Sequence, residues 1–133
     1  MNRIVAKVAT ITAKDSLHLV ECHTQANTQL YILTLELPHT LTQGDTISLY
    51  IKATAITLSL ESSTHLSFAN ELTTTVEGIE KGDIVSMVTL RFEKQLLEVM
   101  VLRRICDTLA IKTGDTLYAL LHASDISISQ EVV

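Results

Sequence analysis

The 133-residue chain has little with which to build a stacking surface: aromatic residues make up 4% of it and tryptophan is absent. That scarcity argues against the ring platforms on which single-strand nucleic-acid binders hold bases. Basic clusters are equally scarce. The net charge is −5 and no run of Lys and Arg exceeds the pair Arg103-Arg104, so the electrostatic footprint of a nucleic-acid partner is missing. The two cysteines, Cys22 and Cys106, have neither CxxC spacing nor a secretory context, which excludes a disulfide framework and reads them as reduced and buried. No uncharged apolar stretch approaches the roughly 20 residues of a membrane-spanning helix. The first residues, Met1-Asn2-Arg3-Ile4-Val5-Ala6-Lys7, lack the basic, apolar and cleavage segments of a secretory leader, and a cytoplasmic location is the expectation.

What is present is enough to fold. Hydrophobic residues reach 47%, charged residues 19% and mean hydropathy +0.31, a balance that can bury a core and is too weakly charged for disorder. The length fits one ordinary domain or two very small ones. An internal repeat decides between these. Asn2-Arg-Ile-Val-Ala-Lys-Val8-Ala-Thr-Ile11 aligns with Asn70-Glu-Leu-Thr-Thr-Thr-Val76-Glu-Gly-Ile79 at an offset of 68 residues, and Gly44-Asp45-Thr46-Ile47 aligns with Gly114-Asp115-Thr116-Leu117 at an offset of 70. Two modules are therefore expected, over residues 1–62 and 67–133, joined by the polar run from Ser62 to Ser67.

Within each copy the apolar period is mostly two, and threonine occurs 18 times, favouring pleated, half-buried surface. The spacing predicts strands at Arg3–Thr12, Ser16–His23, Gln29–Glu36, Thr46–Lys52 and Ile56–Leu60. The second copy repeats them at Glu71–Ile79, Ile84–Phe92, Leu96–Leu102, Thr116–His122 and Ile126–Ser129. Helical spacing appears between Arg103 and Ala110. Its counterpart, Leu37-Pro38-His39-Thr40-Leu41, holds the only proline, which suits a first helical turn or a 3₁₀ turn. The predicted fold class is all-β: two tandem OB-type five-stranded small barrels, each with one short helix.

Motifs for nucleotide hydrolysis, dinucleotide binding, zinc peptidases, the serine nucleophile elbow and EF-hand calcium are all absent, which argues against an enzyme. His18-x-x-x-Cys22-His23 invites comparison with a metal site. On a strand, however, His18 and Cys22 share a face that His23 does not, and no second cluster completes four ligands, so no metal cation is expected. The remaining chemistry is a set of donors without matching acceptors. Lys52-Ala53-Thr54 and His122-Ala123-Ser124 occupy matching strand ends, where a cation, a hydroxyl and free backbone N–H groups can converge on a small anion. A fully deprotonated dianion accepts hydrogen bonds only and suits such a pocket. From spacing alone these residues fit better as a solvated strand-end lysine and ordinary turn formers.

At these residues the sequence resembles a known family. Ser67-Phe68-Ala69-Asn70-Glu71-Leu72, Val76 to Gly82, and Gly114-Asp115-Thr116-Leu117-Tyr118-Ala119-Leu120-Leu121-His122-Ala123-Ser124-Asp125-Ile126 look like the molybdate-binding Mop or TOBE module. The first copy looks like a more divergent member, and the tandem is similar to the two-module molybdenum-binding proteins called molbindins. The resemblance implies an OB-type fold, a homo-oligomer with a trimer favoured, and molybdate or tungstate bound between modules. It implies no catalysis, no organic cofactor, no nucleic acid and no membrane insertion. The family opens on Ser-Ala-Arg-Asn and closes on a Lys-Ala-Ser-type turn. Carried over, this assigns oxyanion binding to Ser67 and Asn70 at one opening, to Asn2 at the other, and to Lys52, Ala53, Thr54, His122, Ala123 and Ser124 at the turns. Ala69 stands where arginine is usual, and the first copy has no opening serine. The alternative implied by those departures is a non-catalytic interaction or regulatory module of a molybdate transport or sensing system with a degenerate anion site.

Overall fold

A computed structural model describes residues 1–38 and 40–132. Ten strands account for most of it, and helix is confined to six α-helical residues and two three-residue 3₁₀ turns. The first half contributes β1 (Asn2–Lys14), β2 (Leu17–His23), β3 (Gln29–Thr34), β4 (Thr46–Ile51) and β5 (Thr57–Ser59). The second contributes β6 (Asn70–Lys81), β7 (Val85–Phe92), β8 (Gln95–Leu102), α1 (Arg103–Thr108), β9 (Thr116–Leu121) and β10 (Ser127–Val132). Burial along β1 alternates strictly from Asn2 to Val8, as the period-two pattern requires of a sheet with one face in the core. β6 repeats this alternation from Leu72 to Glu77. Both long strands slip register at the same place, between Val8 and Thr10 in β1 and between Val76 and Gly78 in β6, where a bulge bends each across its barrel.

All ten predicted strands are present with ends displaced by a few residues. The helix pair is not. The second copy forms α1, with Cys106 buried beneath it. In the first copy, Leu41 N–H donates to Pro38 O at 3.1 Å, closing a single turn with no helix assigned to the described residues there. His39, in the middle of that predicted segment, lies outside the described residues. A single isolated turn gives too few hydrogen bonds to offset the ordering of a longer helix.

The strand order departs from a simple tandem. One sheet runs β10-β4-β1-β2-β3 and the other β5-β9-β6-β7-β8. Each five-stranded sheet thus takes its edge strand β5 or β10 from the opposite half. Ser127 pairs with Tyr50 across β10 and β4, and Thr57 pairs with Leu120 across β5 and β9. The exchange merges the interiors: buried residues from both halves, from Ile4 and Leu49 to Leu90 and Leu121, form one continuous core.

The conserved spacing of Gly-Asp in the repeat has a backbone cause. Gly44 and Gly114 adopt φ of 94° and 93°, a left-handed conformation that other residues enter only with strain. Their N–H groups donate to Val8 O and Val76 O, both at 2.8 Å, anchoring the approach to β4 and β9 on the bulge. Asp45 and Asp115 then accept from Thr42 N–H and Lys112 N–H, each at 2.9 Å. These two turns aim the following strands, and so the residues at their far ends.

Candidate oxyanion site

β4 ends at Ile51 and β9 at Leu121, and each delivers the chain into a 3₁₀ turn, Ala53–Ala55 and Ala123–Asp125. Lys52 (φ −69°, ψ 144°) and His122 (φ −73°, ψ 140°) lead into these turns with nearly identical backbones. Ala55 N–H donates to Lys52 O and Asp125 N–H to His122 O, both at 3.0 Å. The local structure of the two closing motifs is therefore the same, and only their side chains differ.

Strand exchange brings the turns of opposite halves together. Because β10 lies against β4, Ser124 and Asp125 come across from Lys52, and a cavity of about 180 Å³ opens between them. Met1, Tyr50, Ala55 and Ser127 complete its wall. The Lys52 ammonium and the hydroxyls of Tyr50, Ser124 and Ser127 are the donors; the Asp125 carboxylate is the one group whose charge opposes an anion. Lys52 and Ser124 are exposed, so their partners can enter from solvent. Of the residues assigned by resemblance, this cavity unites Lys52 with Ser124. Thr54, exposed, and Ala53 and Ala123, half-buried, sit within the turns.

The second copy's opening segment lies beside its own closing turn. The Phe68 ring stacks on the His122 imidazole at a centroid distance of 4.3 Å and an interplanar angle of 23°. This contact holds the segment carrying Ser67 and Ala69 next to His122, with Ser67 exposed. Phe68 was not singled out by the sequence, and neither were Tyr50, Ser127 and Asp125. Asp125 carried a signal, since it occupies the place of Ala55 in the repeat. Tyr50 and Ser127 carried none, because nothing in a linear alignment tells that β10 crosses to β4.

Asn2 and Asn70 are placed differently from the exposed turns. Both are buried, and their side chains are committed to peptide groups of the opposite half. Asn70 Oδ1 accepts from Tyr31 N–H at 2.7 Å, while its Nδ2 donates to Tyr31 O at 2.9 Å and to Leu121 O at 3.4 Å. Asn2 does the same to Glu98: Oδ1 accepts from its N–H at 2.7 Å and Nδ2 donates to its carbonyl at 2.8 Å. Tyr31 and Glu98 lie on β3 and β8, the outer strands of their sheets. Each asparagine amide thus acts as one rung of a missing neighbour strand, closing the free edge of the other half.

Of the histidine and cysteine motif of β2, Cys22 belongs to the core, while His18 and His23 are half-buried. Cys22 is fully buried, its Sγ–H directed at Leu30 O at 3.7 Å, and burial pushes its thiol up to about 12. A thiol held so firmly protonated is a poor metal ligand. Among the described residues no group of three His, Cys, Asp or Glu is arranged to hold a metal ion. Among them, too, no helix is long and apolar enough to cross a membrane.

No curated protein sequence matches the chain significantly. Residues 66–128 match the model of the TOBE domain. Among solved structures the chain is similar to a crystal structure of the cytoplasmic molybdate-binding protein ModG, in its PEG-grown form with molybdate bound. The two share 26% sequence identity and superpose with a TM-score of 0.89, over 96% of this chain and 94% of that one. The second half of the chain is accordingly similar to a TOBE domain, within a two-barrel fold shared along nearly the whole length of ModG.

Proposed function

We propose that the protein binds molybdate, or its congener tungstate, without catalysis, as a cytoplasmic protein of molybdenum storage, buffering or delivery. The observation that carries this reading is the cavity joining Lys52 to Ser124. It is small, it draws donors from both halves, and the two turns that frame it have matching backbones. The likeness to ModG, described as molybdate-binding and cytoplasmic, supports the choice of ligand. Lys52 supplies the charge, Ser124 and Ser127 supply hydroxyl donors, and Ala53, Thr54, Ala123 and Ser67 offer backbone and hydroxyl donors at the turns and the second opening. Asn2 and Asn70 act in this scheme by holding the turns over the opposite edge strands. His122 takes the lysine's place in the second copy. No organic cofactor enters the scheme, and assembly into a homo-oligomer, with a trimer favoured, adds sites between modules.

Asp125 favours a second reading. A carboxylate facing the cavity, together with Ala69 in the usual arginine position, fits a TOBE-type interaction or regulatory module whose anion site has degenerated. Calorimetric titration with molybdate in excess sulfate separates the two. Saturable binding, weakened by Lys52→Ala by about 10- to 100-fold as expected for a charge-assisted hydrogen bond, supports the oxyanion protein. Absence of heat and of any thermal shift from micromolar to millimolar molybdate supports the interaction module.

A further inference from the structure

A second cavity, of about 850 Å³, lies elsewhere and shares no lining residue with the Lys52–Ser124 cavity. One wall is the outer face of β1 and the loop after β2; the other is the two-residue turn between β7 and β8. Glu93 braces these walls, its Oε2 accepting from the hydroxyls of Thr24 and Thr28, both at 2.7 Å. Asn27 and Glu93, two of the four non-glycine residues with positive φ among those described, both line it, at 71° and 55°. Strain of this kind persists only where the surroundings impose it. The repeat is broken here, since a five-residue loop in the first half, Thr24 to Thr28, corresponds to two residues, Glu93 and Lys94, in the second.

The lining is rich in uncommitted donors. Lys7 and Lys94 face the cavity and take part in none of the ion pairs among the described residues, and His23 lies beside them. The carboxamides of Gln25, Asn27 and Gln95 add donors and acceptors. Glu93, the one carboxylate in the lining, has an oxygen already satisfied by two hydroxyls. In a protein of net charge −5, two of six lysines converging on one cleft make a local positive site. No Phe, Tyr or Trp lines it, and the His23 imidazole is the single ring in its lining, which offers a flat heterocycle little to stack on. Its volume falls within the roughly 300–1,000 Å³ of small-molecule pockets and far exceeds the needs of a tetrahedral oxyanion.

We propose that this cleft between the halves is a second binding site, for a short-chain, non-aromatic organic polyanion. Its charged groups meet Lys7 and Lys94, and its hydroxyl or carbonyl oxygens meet the carboxamides. The proposal stands apart from molybdate binding, which uses other residues.

Titration of the full chain with citrate and with 3-phosphoglycerate, followed by amide chemical shifts, tests it, with inorganic phosphate and sulfate as compact controls. One or both polyanions should saturate, at least about tenfold more tightly than either control, with shifts centred on residues 5–7, 23–27 and 93–95. Which of the two binds tells whether the head group is carboxylate or phosphate. The double variant Lys7→Ala/Lys94→Ala should lose at least about tenfold in that affinity while retaining the wild-type melting temperature and molybdate response. No saturation by about 10 mM, affinity equal to the compact controls, shifts centred on Lys52 and Ser124, or an unaffected double variant would each overturn it.

Discussion

Replacing Asn70 with alanine tests whether the asparagines close the edges of the barrels. The side chain is 1% exposed and supplies both partners of the Tyr31 peptide group, an acceptor at 2.7 Å and a donor at 2.9 Å. Tyr31 sits on the outer strand β3, and its N–H and C=O point away from β2, so no neighbouring strand can replace the lost bonds. A made hydrogen bond is worth about 1 kcal/mol net, but leaving a buried group unpartnered costs about 1–3 kcal/mol. Two such groups set the expected loss at about 2–4 kcal/mol, the lower end applying if water reaches one of them.

Urea unfolding followed by circular dichroism measures this. With a slope of roughly 1–2 kcal/mol per molar for a domain of this size, the midpoint should fall by about 1–4 M at unchanged slope. Thr74→Val is the internal reference. Thr74 is buried and donates a single bond to Leu117 O at 2.8 Å, so the near-isosteric change should cost only about 1 kcal/mol. Asn70→Asp keeps the shape and the acceptor but turns an anionic oxygen toward Tyr31 O and Leu121 O, and at neutral pH should be at least as damaging as alanine. A loss below about 1 kcal/mol for Asn70→Ala, or an Asp variant as stable as wild type, would refute the edge-closing role.

Gly114→Ala should destabilise by about 1–2 kcal/mol, because φ of 93° lies where a Cβ is strained although no atom stands within 4 Å of it; a thermal melt shifted by less than a degree would contradict this. Cys22 should resist thiol reagents in the native state and react only on unfolding, since its Sγ is buried. Its folded value of about 12 exceeds the ordinary 9.0, so the neutral thiol's contribution is intact below pH 9.0 and is lost as pH rises toward 12. The slope of stability against pH across that window should flatten in Cys22→Ala, and an unchanged slope would assign the alkaline loss to other groups. Lys81→Ala should leave the urea midpoint unchanged within error, its ion pair with Asp107 being exposed on both sides.

Much of the fold was legible because its causes are local. Period-two burial in β1 and β6 needs only alternation of apolar and polar residues, and the paired turns at Gly44 and Gly114 need only a residue tolerant of positive φ followed by an aspartate. Of the helical or 3₁₀ turn expected around Pro38, the described residues show a single turn closed from Leu41 to Pro38, and one turn has too few hydrogen bonds to extend. The candidate site was legible only in part. Lys52 and Ser124 stood out as donors at strand ends, yet Tyr50 and Ser127 acquire meaning only when β10 crosses to β4, a pairing between residues far apart in the chain. The roles of Asn2 and Asn70 were hidden for the same reason, because their partners Glu98 and Tyr31 belong to the opposite half.

That dependence on the opposite half gives the duplication a physical purpose. A single copy of about 65 residues buries too small a fraction of its surface to be secure. Here each copy lends the other a strand, through β5 and β10, and an edge clasp, through Asn2 and Asn70. Neither half can then keep its sheet complete alone, so the halves are held in one relative position by several long-range contacts rather than by a linker. Lys52 and Ser124 inherit that position, coming from different copies and meeting only because the strands are exchanged. Once such an exchange is fixed, the copies no longer need identical side chains at their turns. His122 can replace a lysine, and a five-residue loop can replace a two-residue turn, with the backbone of both turns still matched to within about 5°.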